Sequence, residues 1–245
     1  MIRSMRANGK FGVRSRVLRR LPAAALMCGV CALAAAQDGK KDLFPNMAPV
    51  EQYRMADQSE EIALARSAAP VSISSDADVL VLGDRGYEAV VKGKNGFVCL
   101  VERSWFAPFS DPEFWNPKNR SPICLNAAAA STVLPADLEK TQWALAGLSK
   151  TEMMERTKSS VSAHQAVAPD SMAYMMSKEG HLNDAAGHWH PHLMFFQAHT
   201  ALSDWGANLP GSPVLGQDGG PDETTVFYVP LRKWSDGTLV SMDGH

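Results

Sequence analysis

The densest gathering of side chains able to do chemistry is His188-Trp189-His190-Pro191-His192, which holds three of the chain's seven histidines. Imidazole nitrogens bind zinc, copper and iron, so a His-x-His-x-His run is a candidate transition-metal site formed by His188, His190 and His192. In an extended chain alternate side chains share a face, which puts neighbouring histidines roughly 6.7 Å apart at Cα and the outer pair about 13 Å apart. A metal on an imidazole lies roughly 6 Å from that Cα, so two adjacent rings clasp one ion easily and three reach it only at the limit. A further ligand could come from His164, His181, Asp184 or His199, and Met175 or Met176 could add a thioether to copper. Filling a core is the ordinary role of such methionines. With one coordination position open, a bound water would become a nucleophile near neutral pH, a hydrolase-like role. The competing reading is that Trp189 and the rings pack and hydrogen-bond without binding anything. A cupin-like site would want a glutamate shortly afterwards, and Leu193 to Gln197 contains none.

Other candidates are weaker. Residues 105–115 concentrate rings (Trp105, Phe106, Phe109, Phe114, Trp115) among Pro108 and Pro112. They read as an ordered loop that packs as a satellite core or, in a metal-free binding module, forms a ligand platform with Asn208–Pro213. Glu102 next to Arg103 is a catalytic carboxyl or half of a structural ion pair. Asp218 to Glu223 resembles part of a calcium loop but reads as a solvated turn. HExxH, GxSxG, SxxK, phosphate-loop and GxGxxG patterns are absent, so no enzyme class is assigned.

The ends and the charge narrow the setting. Arg3, Arg6, Lys10, Arg14, Arg16, Arg19 and Arg20 precede the apolar run Leu21 to Ala36, and no acid occurs before Asp38. That run closes on Ala34-Ala35-Ala36, the pattern of a cleaved secretory signal, and falls short of the roughly 20 residues a spanning helix needs. Residues 1–36 therefore read as a signal peptide and the protein as periplasmic or secreted, with no stable membrane insertion afterwards. Without them 17 basic residues face 26 acidic ones, a balance that disfavours nucleic acid or an anionic membrane as partner and leaves a small molecule or metal ion. Cys28 and Cys31 fall inside the signal, so their CxxC spacing carries no weight. Cys99 and Cys124 remain, and in an oxidising compartment they are expected to form a disulfide worth on the order of 3 kcal/mol.

The elements that must position these groups follow from capping and periodicity. Residues 37–56 are polar with two prolines and read as a flexible leader. Asp57-Gln58-Ser59-Glu60 opens a helix that Pro70 stops. Val79–Leu82, Tyr87–Val91 and Phe97–Glu102 read as three strands of a meander, with Asn95-Gly96 as a hairpin turn. Helices are expected over Asn126 to Val133, from Pro135 to Gly147, and from the capping box Ser149 to Glu152 onward. Strands resume at Met172–Met176, near His192, and at Thr224–Pro230, with Pro191 favouring a strand start. The expectation is a single α+β domain over 57–245 with a largely antiparallel sheet, N-terminal meander plus C-terminal strands, and several helices.

Several segments carry a resemblance: Glu61-Ile62-Ala63-Leu64-Ala65-Arg66-Ser67-Ala68, Asn95-Gly96-Phe97-Val98-Cys99, Gly187-His188-Trp189-His190-Pro191-His192-Leu193-Met194, Trp205-Gly206-Ala207-Asn208-Leu209-Pro210-Gly211-Ser212 and Arg232-Lys233-Trp234-Ser235-Asp236-Gly237-Thr238. Together they resemble a family of exported bacterial proteins without an assigned function. The resemblance implies export and one domain, and supplies no activity, cofactor or catalytic residue.

Overall fold

Asp57 opens the helical part of the fold by accepting a hydrogen bond from the Ser59 amide at 2.7 Å, which caps α1 (Gln58–Arg66). The computed structural model describes residues 43–160, 166–182, 190–219 and 224–241. The signal segment, His164, Asp184, His188 and Trp189 lie outside the described residues. After α1, Pro70 starts rather than only stops a helix, the single turn α2 (Val71–Ser74).

The strands are β1 (Asp78–Gly83), β2 (Gly86–Val91), β3 (Val98–Glu102), β4 (Ser121–Leu125), β5 (Met172–Met175), β6 (His192–Ala198), β7 (Leu215–Gln217) and β8 (Thr224–Pro230). They form one sheet in the order β2-β1-β3-β4-β5-β6-β8-β7, and every pairing except β1 with β3 is antiparallel. The α+β class with a largely antiparallel sheet is therefore as expected. The meander is not. β1 and β2 form the hairpin, but β3 crosses to the other side of β1 and runs parallel to it. Asn95-Gly96 does not close a hairpin: Asn95 accepts from the Phe97 amide and donates to the Ile73 carbonyl, turning the chain back beneath β1. Gly93 permits that crossing, because a Cβ there would lie 2.0 Å from the Asp76 carbonyl oxygen.

Period-two alternation divides the sheet into two faces. Cys99, Val101 and Cys124 face α1, packing on Ala65 and Ala68. Leu100, Ile123, Leu125, Ala173 and Phe196 face the other way, onto Ala129 of α3 (Ala127–Thr132) and Leu134 of α4 (Leu134–Leu145). Asn126 caps α3 through the Ala129 amide, and Pro135 sits in the first turn of α4. Before α5 (Lys150–Ser160), Ser149 and Glu152 exchange bonds as a capping box, the Ser149 amide donating to Glu152 at 2.8 Å and the Glu152 amide to Ser149 at 3.3 Å.

A third cluster joins Tyr53, Trp105, Phe114, Trp115, Trp143 and Met153. This corrects the flexible-leader reading for residues 43–56. Tyr53 is fully buried and its hydroxyl donates to the Trp115 carbonyl at 2.7 Å, while the Leu43 amide donates to Pro112 at 2.9 Å. Polar composition concealed a brace for the aromatic loop. The Gly/Pro-rich segment after Asp204 also holds an edge strand, β7, laid close over Leu202 and Ala207 because Gly216 has no side chain.

Candidate functional site

The register builds the site by putting alternate residues of six strands on the α3/α4 side. Glu102 stands opposite Ser121, Met175 opposite His192, Met194 opposite Tyr228, and Tyr228 opposite Leu215. Directly opposed residues share a face, so all of these side chains look the same way. Over the strands from β5 to β7 the loop after β3 covers that face in place of a helix, and a cleft of about 790 Å³ remains beneath it. Phe106, Ala107, Pro108 and Pro112 form its roof, and Met175, Met194 and Leu215 its apolar floor and edge. Glu102, His190, His192, Gln217 and Tyr228 are among its polar points, with Ser110, Asp111, Asn119 and Ser121 beside them.

A second, smaller cavity of about 360 Å³ is lined by Glu102, Phe106, Pro108, Met194, Gln217 and Tyr228 as well, so the two share a wall. Its other side is charged: Asp137 and Lys140 from α4, His199 and Asp218. Glu102 therefore stands between the two chambers, the smaller of which carries charged groups among its apolar ones.

The aromatic loop divides its residues between the core and the roof of the cleft. Trp105, Phe114 and Trp115 are buried in the core. Phe109 stacks on Phe114 at 5.3 Å and Phe106 meets Tyr87 edge-on at 5.8 Å, so the roof is moored by its own rings. The Cys99–Cys124 disulfide is formed, joining directly opposed positions of β3 and β4 at the base of the same loop.

The pairing of Glu102 with Arg103 is corrected. Successive strand residues point to opposite faces, so Arg103 turns to the α1 side, where its guanidinium lies 2.8 Å from the Glu61 carboxylate. It also donates to the carbonyls of Tyr53 and Val101. Glu102 points into the cleft, where its carboxyl makes no hydrogen bond to any described residue. Burial, and secondly the Asp137 carboxylate, hold its pKa well above the ordinary glutamate value, against a smaller opposing pull from Lys140. Tyr228 is pushed up to about 12 by burial and then by Glu102, and its hydroxyl donates to Gln217 at 3.0 Å.

Of the three central histidines, His190 and His192 line the cleft, and β6 begins at His192 as Pro191 implied. The His192 Nδ1 lies 2.7 Å from the His190 carbonyl, which can only accept, so Nδ1 carries the proton and Nε2 the lone pair. Desolvation is the largest influence on this ring and lowers its pKa, favouring the neutral form. Its ring meets Tyr228 edge-on at 5.7 Å. His199 lines the second cavity, and His181 forms a backbone bridge with Arg120 instead. Met175 lines the cleft, whereas Met176 is buried with its amide bonded to the Ala68 carbonyl. Among the described residues no group of three or more His, Cys, Asp or Glu converges as a metal site would. Also among the described residues, no helix is long and apolar enough to cross a membrane.

Sequence reasoning had Glu102 as a catalytic carboxyl or half of an ion pair with Arg103, and did not single out Tyr228 as a site residue. The available signal was parity: Glu102 shares its strand face with Val98 and Leu100, and Arg103 does not. No protein-family model, curated protein or solved structure matches the chain.

Proposed function

We propose that this is an exported protein, periplasmic or secreted, whose cleft under the 106–112 loop binds a small, largely apolar organic molecule. The carrying observation is the cleft itself: about 790 Å³, largely apolar on roof and floor, with polar side chains from β3, β6, β7 and β8 in its walls. That size and that mixture of walls are typical of small-molecule sites. The basic start and apolar run before Gln37, the disulfide between Cys99 and Cys124, and the resemblance to exported bacterial proteins support export.

Nile red, an uncharged polycyclic dye whose emission rises in apolar surroundings, tests the cleft. Saturable one-to-one binding that Met194→Trp abolishes and Val71→Ser leaves intact is the expected result. Binding that ignores Met194→Trp, or that never saturates, removes the reading. Export is tested by fractionating bacteria that express the whole chain. Protein outside the cytoplasm that begins near Gln37 agrees, and uncleaved cytoplasmic protein does not.

A second reading rests on His190 and His192. Both line the cleft, and the backbone carbonyl that holds Nδ1 of His192 leaves Nε2 as the coordinating atom, the arrangement that orients metal-binding histidines. With His188 they would take zinc or copper. Near-stoichiometric metal in tag-free protein, lost in His190→Ala, is the result this reading requires. Absence of metal together with no thermal shift on adding zinc or copper ends it.

A further inference from the structure

Among the described residues Glu102 is the one carboxyl common to both cavities, and it stands at their shared wall without a hydrogen-bond partner among those residues. We infer that Glu102 anchors the bound molecule by donating a hydrogen bond from its carboxylic acid to a carbonyl, ether or hydroxyl oxygen of an uncharged ligand, whose apolar body lies under Phe106 and Pro108. The inference rests on the cleft being a small-molecule site, and names the ligand class and the residue that selects it.

Three observations favour an uncharged acceptor. A half-buried carboxyl that makes no hydrogen bond to a described residue, and whose desolvation outweighs the pull of Lys140, holds its proton to higher pH than an ordinary glutamate, and in that form its best remaining hydrogen bond is to an acceptor. An anionic ligand would sit beside the Asp137 carboxylate. A cationic one would sit beside Lys140, a buried ammonium already placed next to Glu102 and over the Phe109 ring at 5.4 Å. Tyr228, also in the lining, keeps its phenolic proton and so supplies no ionic partner in place of these.

The pH dependence must be separated from the other titrating groups around the cleft. α4 presents Asp137 and Lys140, β8 presents Tyr228, and β6 presents His192. His190, His199, Asp111 and Asp218 stand farther round the walls, and the buried Arg103 also borders the cleft. Glu102→Gln removes only the proton in question while keeping a donor of the same shape.

The experiment is Nile red titration across pH 5 to 8, the dye carrying a carbonyl acceptor and no charge. Wild-type affinity is expected to fall as pH rises through the Glu102 pKa, by up to about tenfold per pH unit above it. Glu102→Gln should retain the low-pH affinity with a flat profile, and Glu102→Leu should bind roughly five- to tenfold more weakly at low pH. In wild-type protein, carbon NMR of the Glu102 carboxyl should show its pKa rising further when the dye binds, a readout that needs no variant. Identical profiles for wild type and Glu102→Gln overturn the inference, as does affinity that rises with pH, which would mean the dye binds better when the carboxyl is ionised. If Met194→Trp abolishes binding while the Glu102 variants change nothing, the cleft stands and this anchor falls. If the dye does not bind at all, both fall.

Discussion

Glu61 and Arg103, 42 residues apart, form an ion pair at 2.8 Å with both side chains almost wholly withdrawn from solvent. The Glu61 carboxylate also accepts from the Leu82 amide at 3.2 Å, so one group ties α1 to β1 and to the end of β3. Removing one partner would leave the other charge buried alone. Glu61→Ala is therefore expected to lower stability by about 3–5 kcal/mol, measured by urea unfolding. A loss below about 1 kcal/mol would show that water reaches Arg103.

The disulfide closes the segment that carries the cleft's roof. Replacing both Cys99 and Cys124 by alanine is expected to cost roughly 3 kcal/mol. Amide exchange should quicken most in residues 104–120, between the two strands the bond holds together. Uniformly faster exchange across the sheet would mean the bond supports the whole core instead.

Glu102 makes the fold sensitive to pH in a definite direction. Its pKa is raised in the fold by burial, so the unfolded chain releases this proton at lower pH than the folded one. The contribution to stability is complete below about pH 4.5 and is lost progressively as pH rises toward the folded value. Glu102→Gln should thus stabilise the protein at neutral pH and flatten that dependence, by about 1.4 kcal/mol for each unit by which the pKa is raised. Equal unfolding midpoints for the two proteins from pH 4 to 8 would contradict it.

His192 acts in the opposite sense. Burial lowers its pKa, so stability associated with it is present above the ordinary histidine value of 6.5 and declines as pH falls below it, where the unfolded chain takes a proton that the folded ring resists. Proton NMR should show the His192 ring titrating below 6.5. A midpoint at or above 6.5 would place the ring in water.

The crossover from β2 to β3 depends on Gly93. An added Cβ would stand 2.0 Å from the Asp76 carbonyl oxygen and 2.5 Å from the Ala77 carbonyl carbon, contacts that only a backbone shift relieves. Gly93→Ala is expected to cost more than about 2 kcal/mol in thermal or urea unfolding. Gly211→Ala is a useful comparison, since a Cβ there meets nothing within 4 Å and only its positive φ resists the change.

The sequence by itself determined whatever is settled within a few residues. Asp57, Asn126 and the Ser149–Glu152 box start helices because each satisfies amides one turn away. Short apolar runs made strands at Val79, Val98, Met172 and Thr224, and Pro191 set the start of β6 at His192. The long-range choices belonged to the tertiary structure. A strand with an apolar face can pair with either neighbour, so nothing local told β3 to run parallel to β1 rather than complete a meander. Nor could spacing reveal that Arg103 pairs with Glu61, that Tyr53 braces the aromatic loop, or that the cleft takes Glu102 from β3, His192 from β6 and Tyr228 from β8. Those meetings follow from strand order and register, which are decided by which faces can be buried together once the whole chain has collapsed.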